Sequence, residues 1–227
     1  MRLGIMGGTF DPIHMGHLDV ARASADALHL DRVRLLPSNI PPHRQEPGTS
    51  AFHRFALVCL AAATDPRFVA DDAELLRSGP SYAADTLREL QRQGWKADQL
   101  FFLTGADAFA EIATWKEYPA LLNLSHFVVC SRPGHAAPLV RGLLPALQDR
   151  MVDASEFNGA SEVRVILLDA ATTDVSSSQV RQALADGASD AALRGLLAPQ
   201  VDAHIRRHGL YNSRNSTRLN FPGSAQH

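Results

Sequence analysis

Residues Met1–His17, MRLGIMGGTFDPIHMGH, decide the fold expected of this chain. An apolar run ends at Gly7-Gly8, a polar loop follows, and the segment closes on two histidines three residues apart, His14 and His17. This order is typical of a buried strand that leads through a turn into a helix, the first β-α unit of a nucleotide-binding sheet. Glycine lets backbone approach a ligand closely, and a helix N-terminus attracts anions. The stretch therefore predicts a phosphate site, without saying whose phosphate it binds.

The rest of the chain continues this alternation of apolar strands and helices. Further strands are predicted at 32–36, 68–76, 99–104, 126–131 and 162–168, with helices between and after them, and an irregular segment at 150–160. Continuously apolar strands between helices indicate a parallel sheet covered on both faces. We predict an α/β fold, a Rossmann-like doubly wound parallel sheet with a small C-terminal helical part. It forms one domain over residues 1–212, and residues 213–227 are predicted to be a disordered tail.

Composition is that of a globular chain that binds neither nucleic acid nor membrane. The 227 residues can bury a sizeable core, and a formal net charge of −2 offers no basic footprint for nucleic acid. No run approaches the roughly 18 apolar residues of a membrane span, and Met1 leads directly into a strand, so we expect cytoplasmic residence. Cys59 and Cys130 each lie in an apolar run without a CxxC partner, and we expect both to be buried.

The glycine turn lacks two common nucleotide-binding patterns. It is neither GxxxxGK[ST], as in P-loop kinases, nor GxGxxG, as in enzymes of hydride transfer. Asp11, His14 and His17 could ligate zinc in a metal-dependent hydrolase, although HExxH and Cys/His spacings are missing. The histidines could also be capping or packing groups. Both alternatives stay open at this point.

The stretch GGTFDPIHMGH resembles the (H/T)xGH signature of the nucleotidyltransferase superfamily of adenylyl- and cytidylyltransferases. Its longer form is similar to that of the bacterial nicotinate mononucleotide adenylyltransferases. Four further blocks resemble that family in the same order: PSNIPPHR at 37–44, SYAADTL at 81–87, FFLTGADAFAEIATWKEYPAL at 101–121 and VSSSQVR at 175–181. The ending LLAPQVDAHIRRHGLY resembles it too. The chain departs from the usual residues at five positions: Arg44 for lysine, Ala83 and Ser178 for threonine, Ala198 for proline and His204 for tyrosine.

The resemblance implies that ATP and nicotinate mononucleotide react to give nicotinic acid adenine dinucleotide and pyrophosphate. It makes His14 and His17 catalytic, on the α- and β-phosphate oxygens, where a polyanion favours protonated imidazole. It implies an ATP-binding set of Gly7, Gly8, Thr9, Phe10, Gly105, Asp107, Ser177, Ser178 and Arg181. It implies a mononucleotide-binding set of Asn39, His43, Arg44, Asp85, Thr86, Trp115, Lys116 and Arg132. Mg²⁺ is expected to accompany ATP, bridging phosphate oxygens, with no metal site built from protein ligands alone.

Three questions stay open at the level of sequence. Another member of the superfamily, such as a phosphopantetheine adenylyltransferase, shares the HxGH signature, and a catalytically silent nucleotide sensor would keep the same fold. Taken alone, Asp107 could cap a helix and Trp115 could belong to the core. A carboxylate on the acceptor needs N–H donors or a cation, whereas a carboxamide also needs an acceptor, and the sequence does not indicate which is offered.

Overall fold

The computed structural model describes residues 1–41, 47–159 and 161–212. The strands are β1 (Leu3–Gly8), β2 (Arg32–Pro37), β3 (Phe68–Ala70), β4 (Leu100–Gly105), β5 (His126–Cys130), β6 (Met151–Asp153) and β7 (Val165–Leu168). The α-helices are α1 (Met15–Leu28), α2 (Ala51–Ala62), α3 (Ala83–Arg92), α4 (Ala106–Ala110), α5 (Val140–Leu143), α6 (Ser177–Ala185), α7 (Asp190–Leu193) and α8 (Pro199–His208). The predicted disordered tail lies outside the described residues.

The strands form one seven-stranded sheet in the order β3-β2-β1-β4-β5-β7-β6, and every pairing is parallel. From β1 the chain first builds outward through β2 and β3, and then returns to the other side of β1 with β4. The connections therefore diverge between β1 and β4, and in such sheets ligands bind at this point, beyond the carboxyl ends of the strands. The predicted Rossmann-like, doubly wound parallel sheet is confirmed.

Both faces of the sheet are covered, because successive side chains of a strand point to opposite faces. Phe101 belongs to an apolar cluster with residues of α1, α2, α6, α7 and α8, whereas its neighbour Phe102 belongs to a second cluster with residues of α3, α4 and α5. At the C-terminal end, α8 packs against α2. The two clusters hold the carboxyl ends of the strands in a fixed arrangement, and the predicted site residues lie on the loops beyond them.

The structure corrects the sequence reading at the sheet edges and at one cysteine. The predicted strand at 68–76 is strand only over Phe68–Ala70, and the segment predicted to be irregular contains the edge strand Met151–Asp153. Three-residue edge strands are too short to show a period in the sequence. Cys130 is buried as predicted, but Cys59 is exposed, because it lies on the outer face of α2.

Candidate active site

The loop after β1, residues 9–14, is named here the phosphate loop. Gly7 is exposed at the strand end, and Phe10 is buried with a positive φ of 48°. The loop ends at His14, which occupies the N-cap of α1, so the helix begins at Met15. A Cβ on Gly16 would lie 3.0 Å from the backbone oxygen of Thr173. The glycine of HMGH therefore lets the segment before α6 approach α1 closely.

The histidine pair meets at the start of α1. The rings of His14 and His17 stack with centroids 3.6 Å apart, and the Phe10 ring meets His17 edge-on at 5.1 Å. The backbone N–H of His14 donates to Nδ1 of His17 at 3.2 Å. Because Nδ1 is the acceptor, the proton of a neutral His17 is on Nε2, where it can be donated to a ligand oxygen.

Burial favours the neutral form of the His14 imidazole. Burial, and secondarily the charge of Arg132, lower the pKa of its imidazole from 6.5 to about 3. Its side chain is 2% exposed, and its Nδ1 has no hydrogen-bond partner among the described residues. Burial of His14 therefore opposes the protonated imidazole that the resemblance leads us to expect beside a polyanion.

Asp11 was considered above as a zinc ligand, but both of its carboxylate oxygens accept hydrogen bonds from protein donors. One carboxylate oxygen accepts from the backbone N–H of Gly48 at 2.7 Å and the other from the Tyr211 hydroxyl at 2.8 Å. Burial raises the pKa of the Tyr211 hydroxyl, and the neighbouring Asp11 raises it further. Within the described ranges, no three His, Cys, Asp or Glu residues are arranged to hold a metal ion. This geometry does not support the zinc alternative.

The start of α6 is joined to the same loop. Ser177 Oγ donates to the Pro12 carbonyl oxygen at 2.9 Å, and Arg181 Nη1 donates to the Asp11 carbonyl oxygen at 2.7 Å. Arg181 Nη2 also donates to Ser178 Oγ at 3.2 Å. The N-termini of α1 and α6 therefore both lie at the phosphate loop, and their N–H groups and dipoles favour an anion there.

Arg132 lies with residues assigned to ATP rather than with those assigned to the mononucleotide. A Cβ on Gly105 would overlap the carboxylate of Asp107 and come within 2.8 Å of Arg132 Cδ, so these three groups meet at the end of β4. Arg132 Nη2 donates to the Val175 carbonyl oxygen at 3.1 Å. A cleft of about 370 Å³ opens beside Arg132, lined by residues 131–136, 139 and 169–172.

Residues assigned to the mononucleotide gather around α3. Thr86 Oγ1 donates to Glu74 Oε1 at 2.6 Å and accepts from Arg77 at 2.5 Å. Burial raises the pKa of Glu74, while its hydrogen bond with Thr86 opposes the shift. Asn39 joins this network, because its side chain donates to the Arg77 carbonyl oxygen and its backbone N–H donates to Ser81 Oγ.

Trp115 and Lys116 complete this group. Lys116 Nζ lies 2.9 Å and 3.0 Å from the two carboxylate oxygens of Asp85, and 4.7 Å from the centre of the Tyr82 ring. Trp115 is half-buried, and its ring meets that of Phe102 edge-on at 5.9 Å. His43 and Arg44, also assigned to the mononucleotide, lie outside the described residues.

Sequence reasoning missed several groups that build this site. Glu74 and Tyr211 were not singled out, and their partners, Thr86 and Asp11, are 12 and 200 residues away. Arg54 is 1% exposed and donates to three carbonyl oxygens of the loops after β1 and β2. A signal for it existed, since Arg54 lies at helical spacing on the same face of α2 as the buried Leu57 and Val58.

Comparison with known proteins agrees with this arrangement. Residues 5–183 match the model of the cytidylyltransferase-like family. A protein from Chromobacterium violaceum, named probable nicotinate-nucleotide adenylyltransferase, is 41% identical over 213 residues, which are 92% of this chain and 98% of that protein. One of the same name from Aeromonas hydrophila is 42% identical over 212 residues, 92% and 96% of the two chains. This chain belongs to the nicotinate-nucleotide adenylyltransferase family.

The nicotinic acid mononucleotide adenylyltransferase of Plasmodium falciparum, solved in complexes with APC and with NaAD, has the same fold. Each superposition has a TM-score of 0.67 at 15% identity, and covers 92% of this chain and 96% or 97% of that one. Among the described residues, no helix is both long and apolar enough to cross a membrane.

Proposed function

We propose that this adenylyltransferase transfers the adenylyl group of ATP to nicotinate mononucleotide, giving nicotinic acid adenine dinucleotide and pyrophosphate. The observation that carries the proposal is the meeting of the histidine pair with the N-termini of α1 and α6 on one loop beyond the sheet. The names of the relatives and the NaAD in a solved complex of the same fold support the choice of substrates. Cytoplasmic residence is part of the same proposal.

The phosphate half of the site binds ATP in this proposal. The acceptor's 5′-phosphate attacks the α-phosphorus in line with the departing pyrophosphate, so a P–O bond forms as the bond to the leaving oxygen breaks. A phosphate monoester is already ionised at neutral pH, and no protein nucleophile is needed. His17 Nε2–H donates to a phosphoryl oxygen, His14 supplies a second contact, and the N-termini of α1 and α6 stabilise the charge.

Arg181, Ser177 and Ser178 hold the outgoing phosphates, and Gly105 and Asp107 receive the ribose. The glycine leaves room at the end of β4, where Asp107 is exposed. Because Arg132 lies against Gly105 and beside the adjoining cleft, we move it in this proposal from the mononucleotide to the adenosine side. Gly7 to Phe10 supply backbone around the transferred phosphate.

Mg²⁺ fits this site as a companion of ATP. Both carboxylate oxygens of Asp11 accept from protein donors, and the described residues do not gather a protein cage. Bound with ATP, Mg²⁺ would supply positive charge that offsets the negative charge of the phosphates. Ser177, Ser178 and Arg181 then contact the remaining oxygens of the leaving group.

Asn39, Asp85, Thr86, Trp115 and Lys116 form the described part of the acceptor half. Trp115 offers a ring on which the pyridine can stack, and the first N–H groups of α3 together with the Lys116 cation suit a carboxylate. His43 and Arg44 remain proposed contacts of the mononucleotide phosphate. The Asp85 carboxylate beside Lys116 is an acceptor that a carboxamide also needs, so the choice of the acid in this proposal rests on the names of the relatives.

The experiment that tests this proposal is a pyrophosphate-release assay with ATP, Mg²⁺ and one acceptor at a time. Nicotinate mononucleotide, nicotinamide mononucleotide and phosphopantetheine are compared, and the product is identified by mass. We expect nicotinic acid adenine dinucleotide at the highest kcat/KM. A higher kcat/KM with either other acceptor would refute the substrate assignment, and binding of ATP without pyrophosphate release from any acceptor would indicate a nucleotide sensor.

A further inference from the structure

Arg54 is a buried cation beneath the active site that the proposed mechanism does not use. It projects from the first turn of α2, on the face that buries Leu57 and Val58, and it is 1% exposed. Burial lowers the pKa of its guanidinium, and the negative charge of Asp11 opposes this shift. Burying a charge costs free energy unless hydrogen bonds and a counter-charge compensate it. The packing of α2 alone therefore does not explain why a charged residue is buried at position 54.

The partners of Arg54 belong to two different loops. Its Nη1 donates to the Thr9 carbonyl oxygen at 2.9 Å and to the Ser38 carbonyl oxygen at 2.7 Å, and its Nη2 lies 3.4 Å from the Asn39 carbonyl oxygen. Thr9 lies on the phosphate loop, while the other two lie on residues 38–41 after β2, named here the acceptor loop. One planar guanidinium thus joins the carbonyl oxygens of both loops.

Among the residues that the structure describes, the two loops share no backbone hydrogen bonds beyond the ends of the strands, apart from one. The last bond is the one from the Ser38 N–H to the Gly8 carbonyl oxygen, at 2.8 Å, immediately after β1 and β2 end. Past that bond the phosphate loop turns toward α1, and the acceptor loop contacts the segment before α3 through Asn39 and Ser81. Arg54 lies where the loops separate.

This separation matters for adenylyl transfer, because each loop serves a different substrate in the proposed function. The phosphate loop surrounds the α-phosphorus of ATP, and the acceptor loop leads to the residues assigned to the mononucleotide. In-line attack depends on the distance and angle between the two substrates, and a misplacement of about 1 Å costs on the order of 10²-fold in rate. A group that fixes the separation of the loops therefore affects the chemical step more than the binding of either substrate.

We propose that Arg54 is a positioning residue that fixes the distance and orientation between the phosphate half and the acceptor half of the site. This inference rests on the proposed function, since it requires two substrates bound on opposite sides of the joint. In the part of the chain that the structure describes, the hydrogen bonds of Arg54 go to backbone carbonyl groups, and Asp11 supplies a nearby negative charge. Arg54 is placed beneath the loops, whereas the groups proposed to contact substrate lie on them or beyond them.

The test is Arg54→Lys, which keeps the positive charge but replaces the fork of donors by one ammonium nitrogen that cannot bridge the same oxygens with the same geometry. We expect kcat to fall by about 10²-fold, with the KM values for ATP and nicotinate mononucleotide each within about threefold of wild type. The affinity for nicotinic acid adenine dinucleotide, which spans both halves, should fall at least about tenfold, because its two ends are bound together only when the halves are in register.

Val58→Ala is the matched control, because it removes buried volume from the same helix without touching the carbonyl oxygens. It should lower the midpoint of thermal unfolding while kcat and the affinity for the dinucleotide stay near the wild-type values. Arg54→Gln provides a second variant should Arg54→Lys not fold, and it should show the same division between kcat and KM.

Three results would overturn the inference. In a folded Arg54 variant these are an unchanged kcat, a rise in both KM values with the dinucleotide affinity unchanged, or effects no larger than those of Val58→Ala. Failure of the proposed function would look different, because the wild-type enzyme itself would then form no dinucleotide from ATP and nicotinate mononucleotide.

Discussion

The phosphate half and the acceptor half of the site are held by different kinds of contact. Around the phosphate loop the polar groups are buried and bonded to backbone: His14, Asp11 and Arg54 are at most 4% exposed, and Asp11 and Arg54 bond to backbone groups. Around α3, the Lys116–Asp85 pair is exposed, and both partners are charged side chains that can change partners.

The difference matches what each half is proposed to do. A transferring phosphoryl group needs donors that are already in position, because reorganising them during the reaction would add to the barrier. An acceptor base and its carboxylate need recognition, and exposed ion pairs contribute little stability that a ligand would have to overcome. The buried network Glu74–Thr86–Arg77 is the exception in the acceptor half, and it fixes the first turn of α3.

In the phosphate half, the substitution of His17 should have the largest effect on activity. His17→Ala removes a donor to the transferring phosphoryl group and should lower kcat by roughly 10²–10³-fold, the cost of losing one transition-state donor. Steady-state kinetics with both substrates varied measures this loss. A kcat within about threefold of wild type would remove His17 from the mechanism.

His14 should make the folded protein less stable as the pH falls. Its pKa is about 3 in the folded protein and 6.5 in the unfolded chain, so between these values the unfolded chain binds the additional proton. The resulting stability is present above about pH 6.5 and is lost as the pH falls toward 3, at a limit of about 1.4 kcal/mol per pH unit. We expect His14→Asn to flatten the slope of the unfolding free energy between pH 6.5 and 4, measured by urea titration.

His29→Asn is the control for this measurement, because His29 is exposed at the C-terminal end of α1 and its left-handed conformation suits asparagine. That variant should keep the wild-type slope. His126 remains in both proteins, and burial lowers its pKa to about 4, so part of the acid sensitivity persists. Equal slopes in wild type and His14→Asn would contradict a neutral, buried His14.

Trp115→Ala should affect the acceptor half of the site. Loss of a stacking surface should raise the KM for nicotinate mononucleotide about tenfold and leave the KM for ATP nearly unchanged. Trp95→Ala is the matched control, since Trp95 is also a partly buried tryptophan packed against the same apolar cluster. If the KM for ATP rose instead, the two halves would be assigned the wrong way round.

The smallest effect is expected at Lys116. Its pair with Asp85 is exposed, so Lys116→Met should change the unfolding free energy by less than about 1 kcal/mol. The ratio of kcat/KM for the acid to that for the amide should fall by about three- to fivefold, because a cation near the pyridine substituent is lost. An unchanged ratio would assign acid selectivity to the N–H groups of α3 alone.

The order of elements and the first-turn motif were readable in the sequence because both are local. Short runs of five to seven residues predicted β2, β4, β5 and β7, and the apolar run that ends at Gly7-Gly8 predicted β1. The glycine turn and the spacing of the histidines predicted the phosphate loop. Resemblance in five blocks indicated a family, which the relatives confirm. Of the two edge strands, β3 was predicted too long and β6 was missed, because a strand of three residues shows no period in the sequence.

Only tertiary structure decided how these local pieces meet. Three contacts join residues that are far apart in sequence, so no local spacing encodes them. They are the packing of Arg132 against Gly105, the hydrogen bond from Tyr211 to Asp11 and the hydrogen bonds from Arg54 to carbonyl oxygens. The neutral state of His14 depends on burial, which is a property of the assembled site. Sequence by itself determined which chemistry the chain carries, because motif residues are chosen by type and spacing. The tertiary structure decided which groups are buried, which are charged and how they are positioned relative to each other. Desolvation and long-range hydrogen bonds exist only once the strands and helices have packed.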